Sequence, residues 1–182
     1  MSMDSIVAAN VAEASVSQVT ARERIQLVDA RNRPCGSAWR AQMRRMSYWH
    51  RATYIVVRNS SGQLCAQRRT LQKEVFPGGI DLAAGGVVCA GEAVRHSAER
   101  ELAEELGIRK VKLGKELAFV YRQDGHHIFG SVYGVIHDGP LELQEEEVAQ
   151  AFWVEPDEAM ALPEVTPDTL LAVRLLRERE RW

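Results

Sequence analysis

At 182 residues the chain is long enough for one ordinary domain with its own core and short for two. Its composition, 46% hydrophobic and 26% charged, is globular and excludes a disordered or fibrous reading of the whole. With 23 Lys+Arg against 25 Asp+Glu, the net charge of −2 gives no global field for nucleic acid or an anionic membrane; neither is expected as a partner, and an anionic substrate must be met locally.

Apolar runs such as Tyr54-Ile55-Val56-Val57 fall far short of the roughly 18 residues that a membrane span needs. The N-terminal stretch lacks the basic flank and continuous apolar run of a secretory signal, and three cysteines, Cys35, Cys65 and Cys89, cannot all pair within one chain. A soluble protein of a reducing cytoplasm is expected.

Residues 1–22, rich in Ala, Ser and Val, read as an N-terminal tail ahead of a single domain over 23–182. From Arg22 to Arg51 basic residues outnumber acids, with Arg40, Arg44 and Arg45 among them; this segment is either a solvated face or a surface turned toward phosphate or a partner. Ile25–Val28 reads as a short strand, and Ser37–Met46 as a helical piece after a break at Pro34–Gly36. Thr53–Arg58 and Leu64–Arg68 read as a hairpin closed by Asn59-Ser60-Ser61-Gly62. Pro77-Gly78-Gly79 forces a loop before the small and apolar alternation of Ile80–Val88.

Across Glu92–Leu106, Val94, Ala98, Leu102 and Leu106 recur at a spacing of four, one buried helical stripe, and Gly107 suits the left-handed residue past a helix end. Glu116–Gln123 and His127–His137 flank Asp124-Gly125, a dipeptide favouring the positive φ angles of a hairpin turn. Phe152-Trp153-Val154 adds a strand, Glu155-Pro156 opens a brief helix that Pro163 stops, and Thr166-Pro167-Asp168 opens a final helix. Strands before, between and after helices, without a βαβ rhythm, give an α+β fold with a mixed sheet.

Three acids crowd the central helix. Glu101 with Glu105 and Glu101 with Glu104 stand four and three residues apart, so the carboxylates share a side while Leu102 and Leu106 turn inward. Either Arg100 and Arg95 relieve a solvated acidic face, or a hard divalent cation such as Mg²⁺ or Mn²⁺ offsets the repulsion.

Residues 86–108 match G-x5-E-x7-R-E-U-x-E-E-x-G-U, with U apolar, at every defined position, from Gly86 through Glu92 and Arg100 to Ile108. The chance of that in a chain of this length is well below roughly one in a million. The segment resembles the Nudix box, and the hairpin, loop and strands around it resemble the rest of the Nudix domain, an α/β/α sandwich about a mixed sheet. The resemblance implies a hydrolase of diphosphate linkages. Glu101, Glu104 and Glu105, with the Gly85 carbonyl, would hold Mg²⁺ or Mn²⁺; Arg100 would orient Glu101 or Glu104; Glu92 would brace the loop, and Gly86 and Gly91 would let it bend. The general base stays open between the box helix and the loop acids Glu145, Glu146 and Glu147, which also read as a solvated turn.

A narrower resemblance, carried by His50-Arg51-Ala52, Gln67-Arg68-Arg69 and Lys73, points to the isopentenyl-diphosphate-isomerase-like branch. It implies that Arg69 and Lys73 grip the diphosphate, unless they are only solvated cations, and that His50 matches a metal-binding position unless it is merely hydrogen-bonded. The isomerase Cys and His positions hold Gly85 and Val87, and Cys89 in the loop reads as incidental. Hydrolysis of a nucleoside diphosphate derivative is therefore expected over isomerisation or a non-catalytic sensor, with a small-molecule diphosphate as partner and a monomer or homodimer as the working unit. Tyr121, His126, His127, Phe129 and Trp153 are unranked candidates for reading the attached group.

Overall fold

A computed structural model describes residues 23–182; the tail expected over 1–22, with Arg22, lies outside them. Among the described residues eight strands form one mixed sheet: β1 Arg24–Val28, β2 Pro34–Trp39, β3 His50–Arg58, β4 Leu64–Arg69, β5 Ile80–Asp81, β6 Leu117–Gln123, β7 His126–Ile136 and β8 Val148–Val154. The helices among the described residues are α1 Arg40–Arg45, α2 Val94–Leu106, α3 Pro156–Ala161 and α4 Pro167–Glu180. No helix among the described residues is long and apolar enough to cross a membrane.

β3 is the centre of the molecule. It runs parallel to β7 over its whole length, from His50 opposite Ile128 to Arg58 opposite Ile136, and antiparallel to β1. A parallel neighbour requires a long crossover, and α2 lies within it. The near-continuous apolar run of β3 fits a strand covered on both faces. Tyr54 and Val56 pack with Ala172, Val173 and Leu176 of α4, whereas Ile55 and Val57 pack with Ala98, Leu102 and Leu106 of α2. The period-2 alternation of one strand thus divides two cores, and helices on opposite faces complete the α/β/α sandwich.

The hairpin β6–β7 turns at Asp124-Gly125 with φ of 51° and 78°, as its sequence implies. Gly107 ends α2 with φ 70°. One expected element is corrected: Ser37–Trp39 belong to a strand, not to the helix placed over Ser37–Met46. The reversal falls earlier, at Asp29–Arg33, where the Asp29 carboxylate accepts the N–H groups of Arg31 and Arg33, each at 2.9 Å. Pro34–Trp39 then pairs with β1, and only Arg40–Arg45 remain helical, with Met43 buried against Ile25 and Ala38.

Candidate active site

The residues after β5 line the other edge of β3. Thr53 N–H donates to the Gly86 carbonyl at 2.9 Å, and Ile55 N–H to that of Ala84 at 2.7 Å. Between them Gly85 adopts φ 148°, and a Cβ there would overlap the Thr53 carbonyl oxygen. Its backbone N–H is turned toward α2 and donates to Glu105 Oε2 at 3.0 Å. A Cβ on Gly86 would lie 2.6 Å from Glu101 Oε1, so this glycine makes room for a box carboxylate. Gly91 stands in open space, and its φ of 82° is its reason for being glycine.

Glu105 is 6% exposed and lies under the loop. Burial pushes its carboxyl well above the ordinary range; Lys73 opposes this, while Glu101 and Glu147 add to it. Burial likewise raises Glu101 to about 7, against Arg100 and with the help of Glu104 and Glu147. Two buried carboxylates that destabilise each other's charge are what a divalent cation relieves. Among the described residues no three Asp, Glu, His or Cys side chains are grouped as a metal cage. Mg²⁺ or Mn²⁺ needs no all-protein cage, since one or two carboxylates suffice where water and substrate phosphate fill the remaining positions, and Glu101 and Glu105 are the two available here. The donor set fits the ion.

Arg100 holds this end together. Its Nε meets Glu92 Oε1 at 2.9 Å and its Nη2 meets Oε2 at 3.2 Å, while Nη1 reaches Glu101 Oε1 and Glu104 Oε2, both at 2.9 Å. Glu92 also accepts the Cys89 N–H at 3.2 Å, bracing the loop. Burial raises the Glu92 carboxyl, but Arg100 outweighs it and leaves the group below its usual value. Glu104 is the outlier of the three acids, about half exposed and tied to Arg100.

A cleft of about 310 Å³ opens beside Gly85 and Gly86. Arg40 and Arg44 of α1, Arg69 at the end of β4 and Lys73 form its basic wall. Each is paired: Arg40 with Glu23, Arg44 with Glu74, Arg69 with Asp81 and Lys73 with Glu147. Burial, with Arg40 and Arg69 nearby, lowers Arg44 to about 10, a crowding of positive charge that an anion would relieve. The basic segment thus divides, for Arg33 pairs with Asp29 and Arg51 with Asn32, away from the cleft. The i,i+4 spacing of Arg40 and Arg44 was the available signal for their shared face. Of the three loop acids only Glu147 turns inward; burial raises its carboxyl, but Lys73 prevails and keeps it below the ordinary value.

Tyr54, Tyr121, His126, Asp168 and Thr169 also line the cleft. Tyr54 donates its hydroxyl to Asp168 Oδ2 at 3.0 Å. Thr166, expected to cap α4, instead donates to Asp81 Oδ1 at 2.6 Å and makes no side-chain cap. Phe129 and His127 lie against Trp49, and Trp153 packs on the α2 side, so these three candidate readers stand outside the cleft. His50 is buried on the wall, its Nδ1 2.9 Å from the Tyr48 carbonyl, and burial lowers it to about 4, which keeps the ring neutral.

The sequence matches the NUDIX domain family over residues 48–175. It is 46% identical over 157 residues to a Nudix hydrolase of Pseudomonas aeruginosa, covering 84% of this chain and 92% of that one. It is 39% identical over 163 residues to the Nudix hydrolase YfcD of Escherichia coli K12, covering 89% and 91%. The structure is similar to that of DR0079 from Deinococcus radiodurans, with TM-score 0.74, 26% identity and coverage of 84% and 98%. With a complete box folded around paired buried carboxylates, the chain belongs to the Nudix hydrolase family, whose members act on phosphoric anhydride bonds.

Proposed function

We propose that this chain is a metal-dependent pyrophosphohydrolase that cleaves the diphosphate linkage of a nucleoside di- or triphosphate or a related nucleoside diphosphate derivative. The observation that carries this reading is the pair Glu101 and Glu105, largely or fully buried behind Gly85 and Gly86, which themselves line a cleft walled by four cations. Glu101 and Glu105, with the Gly85 carbonyl, would hold Mg²⁺ or Mn²⁺; Glu104, about half exposed and tied to Arg100, stands apart from that pair. Bound there, the ion supplies charge neutralisation at the phosphates and a more acidic water.

The protein's own groups do the rest. Arg69 and Lys73, joined by Arg40 and Arg44, exchange their present acid partners for phosphate oxygens. Lys73 then releases Glu147, whose buried carboxylate becomes more basic without the ammonium beside it and accepts the proton of the attacking water. Arg100 keeps Glu101 and Glu92 in register and touches no substrate.

Isomerisation of an allylic diphosphate fits the site less well. The position matching the isomerase cysteine is Gly85, where any side chain meets the Thr53 carbonyl, and Val87 packs against Ile25 and Met43. A purely sensing role leaves two costly buried carboxylates without a purpose. The test is a panel of nucleoside di- and triphosphates, dinucleotides and isoprenoid diphosphates with Mg²⁺, read for both phosphate release and isomer formation. Phosphate release from a nucleotide is expected; isomer formation without release overturns the reading.

A further inference from the structure

Resting on that reading of the cleft, we infer that it also carries a base-reading subsite, in which Tyr121 and Asp168 hydrogen-bond the edge of a planar nitrogen heterocycle lying against Phe76 and His126. Tyr121 is 5% exposed, lines the cleft, and its hydroxyl has no hydrogen-bond partner among the described residues. A buried phenol left unpaired costs free energy that folding has to offset elsewhere. Asp168 is nearby. Burial raises its carboxyl, Asp81 adds to this, and only the Tyr54 hydroxyl reaches it from another side chain among the described residues. Together these side chains offer a hydroxyl that donates or accepts and a carboxyl oxygen that accepts, the complement of a ring edge carrying N–H or NH₂ beside a carbonyl or ring nitrogen.

The second observation is aromatic. Phe76 and His126 both line the cleft, with ring centroids 6.4 Å apart and planes 30° from parallel. Phe76 is 37% exposed and sits at φ 50°, a left-handed conformation that a phenylalanine rarely takes. Strain spent on presenting an apolar ring at a cleft suits a stacking surface, since a base gains about tenfold or more in affinity from an aromatic face. A hydrocarbon on the diphosphate could use the rings alone, and would leave the Tyr121 hydroxyl without a partner. The polar pair therefore selects a heterocycle over an isoprenoid chain.

Calorimetric binding of ADP, GDP, CDP and UDP, with ribose 5-diphosphate and isopentenyl diphosphate as comparators and Ca²⁺ in place of Mg²⁺, tests this in the full chain. At least one nucleotide is expected to bind about tenfold more tightly than either comparator. Tyr121→Phe is expected to weaken that nucleotide about fivefold, the worth of one hydrogen bond, and to change ribose 5-diphosphate less than about twofold. Its thermal midpoint should hold or rise, because an unpaired buried hydroxyl is removed, whereas a structural role for the phenol would lower it. An unchanged preference in Tyr121→Phe, isopentenyl diphosphate binding as tightly as any nucleotide, or no binding at all overturns the subsite. Parallel phosphate assays with Mg²⁺ separate the two readings: selective binding without hydrolysis leaves the subsite and removes the hydrolase, and unselective hydrolysis does the reverse.

Discussion

Gly85 and Glu105 are joined by a backbone N–H to carboxylate bond of 3.0 Å, which fixes the loop against the box helix at the point where a metal would sit. Space at Gly85 is as constrained as its hydrogen bond. Gly85→Ala and Gly85→Cys are expected to lose about 2 kcal/mol of stability or more in chemical denaturation, since a Cβ meets the Thr53 carbonyl at a φ of 148°. Restoring the isomerase residue in this way should bring no solvent deuterium into the carbon skeleton of isopentenyl diphosphate. Deuterium uptake at a catalytic rate in the wild type would refute the hydrolase assignment.

Glu101→Gln and Glu105→Gln are each expected to lower kcat at least about a hundredfold, because the lost charge weakens both metal binding and water activation. Neither variant should unfold: burial already opposes the charge that the amide removes. Mg²⁺ should raise the melting temperature of the wild type and much less that of Glu105→Gln. Full activity in excess chelator would contradict the metal reading.

For Arg69→Ala the expected change is a KM raised by about tenfold for every substrate sharing the diphosphate, with kcat little altered and the substrate preference kept. Because Arg69 also holds Asp81, the comparison with Asp81→Asn and the double variant separates phosphate contact from wall integrity. Identical kinetics in Arg69→Ala and Lys73→Ala would return both residues to a structural role.

Acid should destabilise the protein through His50. Its folded value is about 4 against 6.5 unfolded, so above pH 6.5 both states are neutral and nothing is lost. As pH falls from about 6.5 toward 4 only the unfolded chain gains the proton, and stability declines, by about 2 kcal/mol between pH 7 and 5. Urea titrations of wild type and His50→Gln at those two pH values measure it; an equal decline in both would clear His50 of the effect.

The box was legible because its chemistry is local: Glu92, Arg100, Glu101 and Glu105 lie on one helix and its entry, and their spacing alone places them together. The Asp124-Gly125 turn and the Gly107 cap were legible for the same reason, since each depends on a φ angle that few residues take. The Tyr54–Asp168 bond joins residues 114 positions apart, and no periodicity encodes it. Selecting Glu147 from three consecutive glutamates likewise required the position of Lys73, which the sheet supplies. The error over Ser37–Trp39 came from reading Pro34–Gly36 as a stop, when its cause was Asp29, whose side chain makes the turn five residues earlier.

The parallel pairing of β3 with β7 also sets the order in which the molecule can be made. Residues 50–58 must wait for 128–136 before their second edge is filled, and contacts so distant along the chain close slowly. During synthesis the box helix emerges with Leu102 and Leu106 facing an incomplete sheet, so a nascent chain stalled before β7 carries Glu101, Glu104 and Glu105 without the strand that completes the sheet around them. Catalytic competence arrives only after the crossover closes, which makes the interval between the two strands the period of greatest exposure to misfolding and proteolysis.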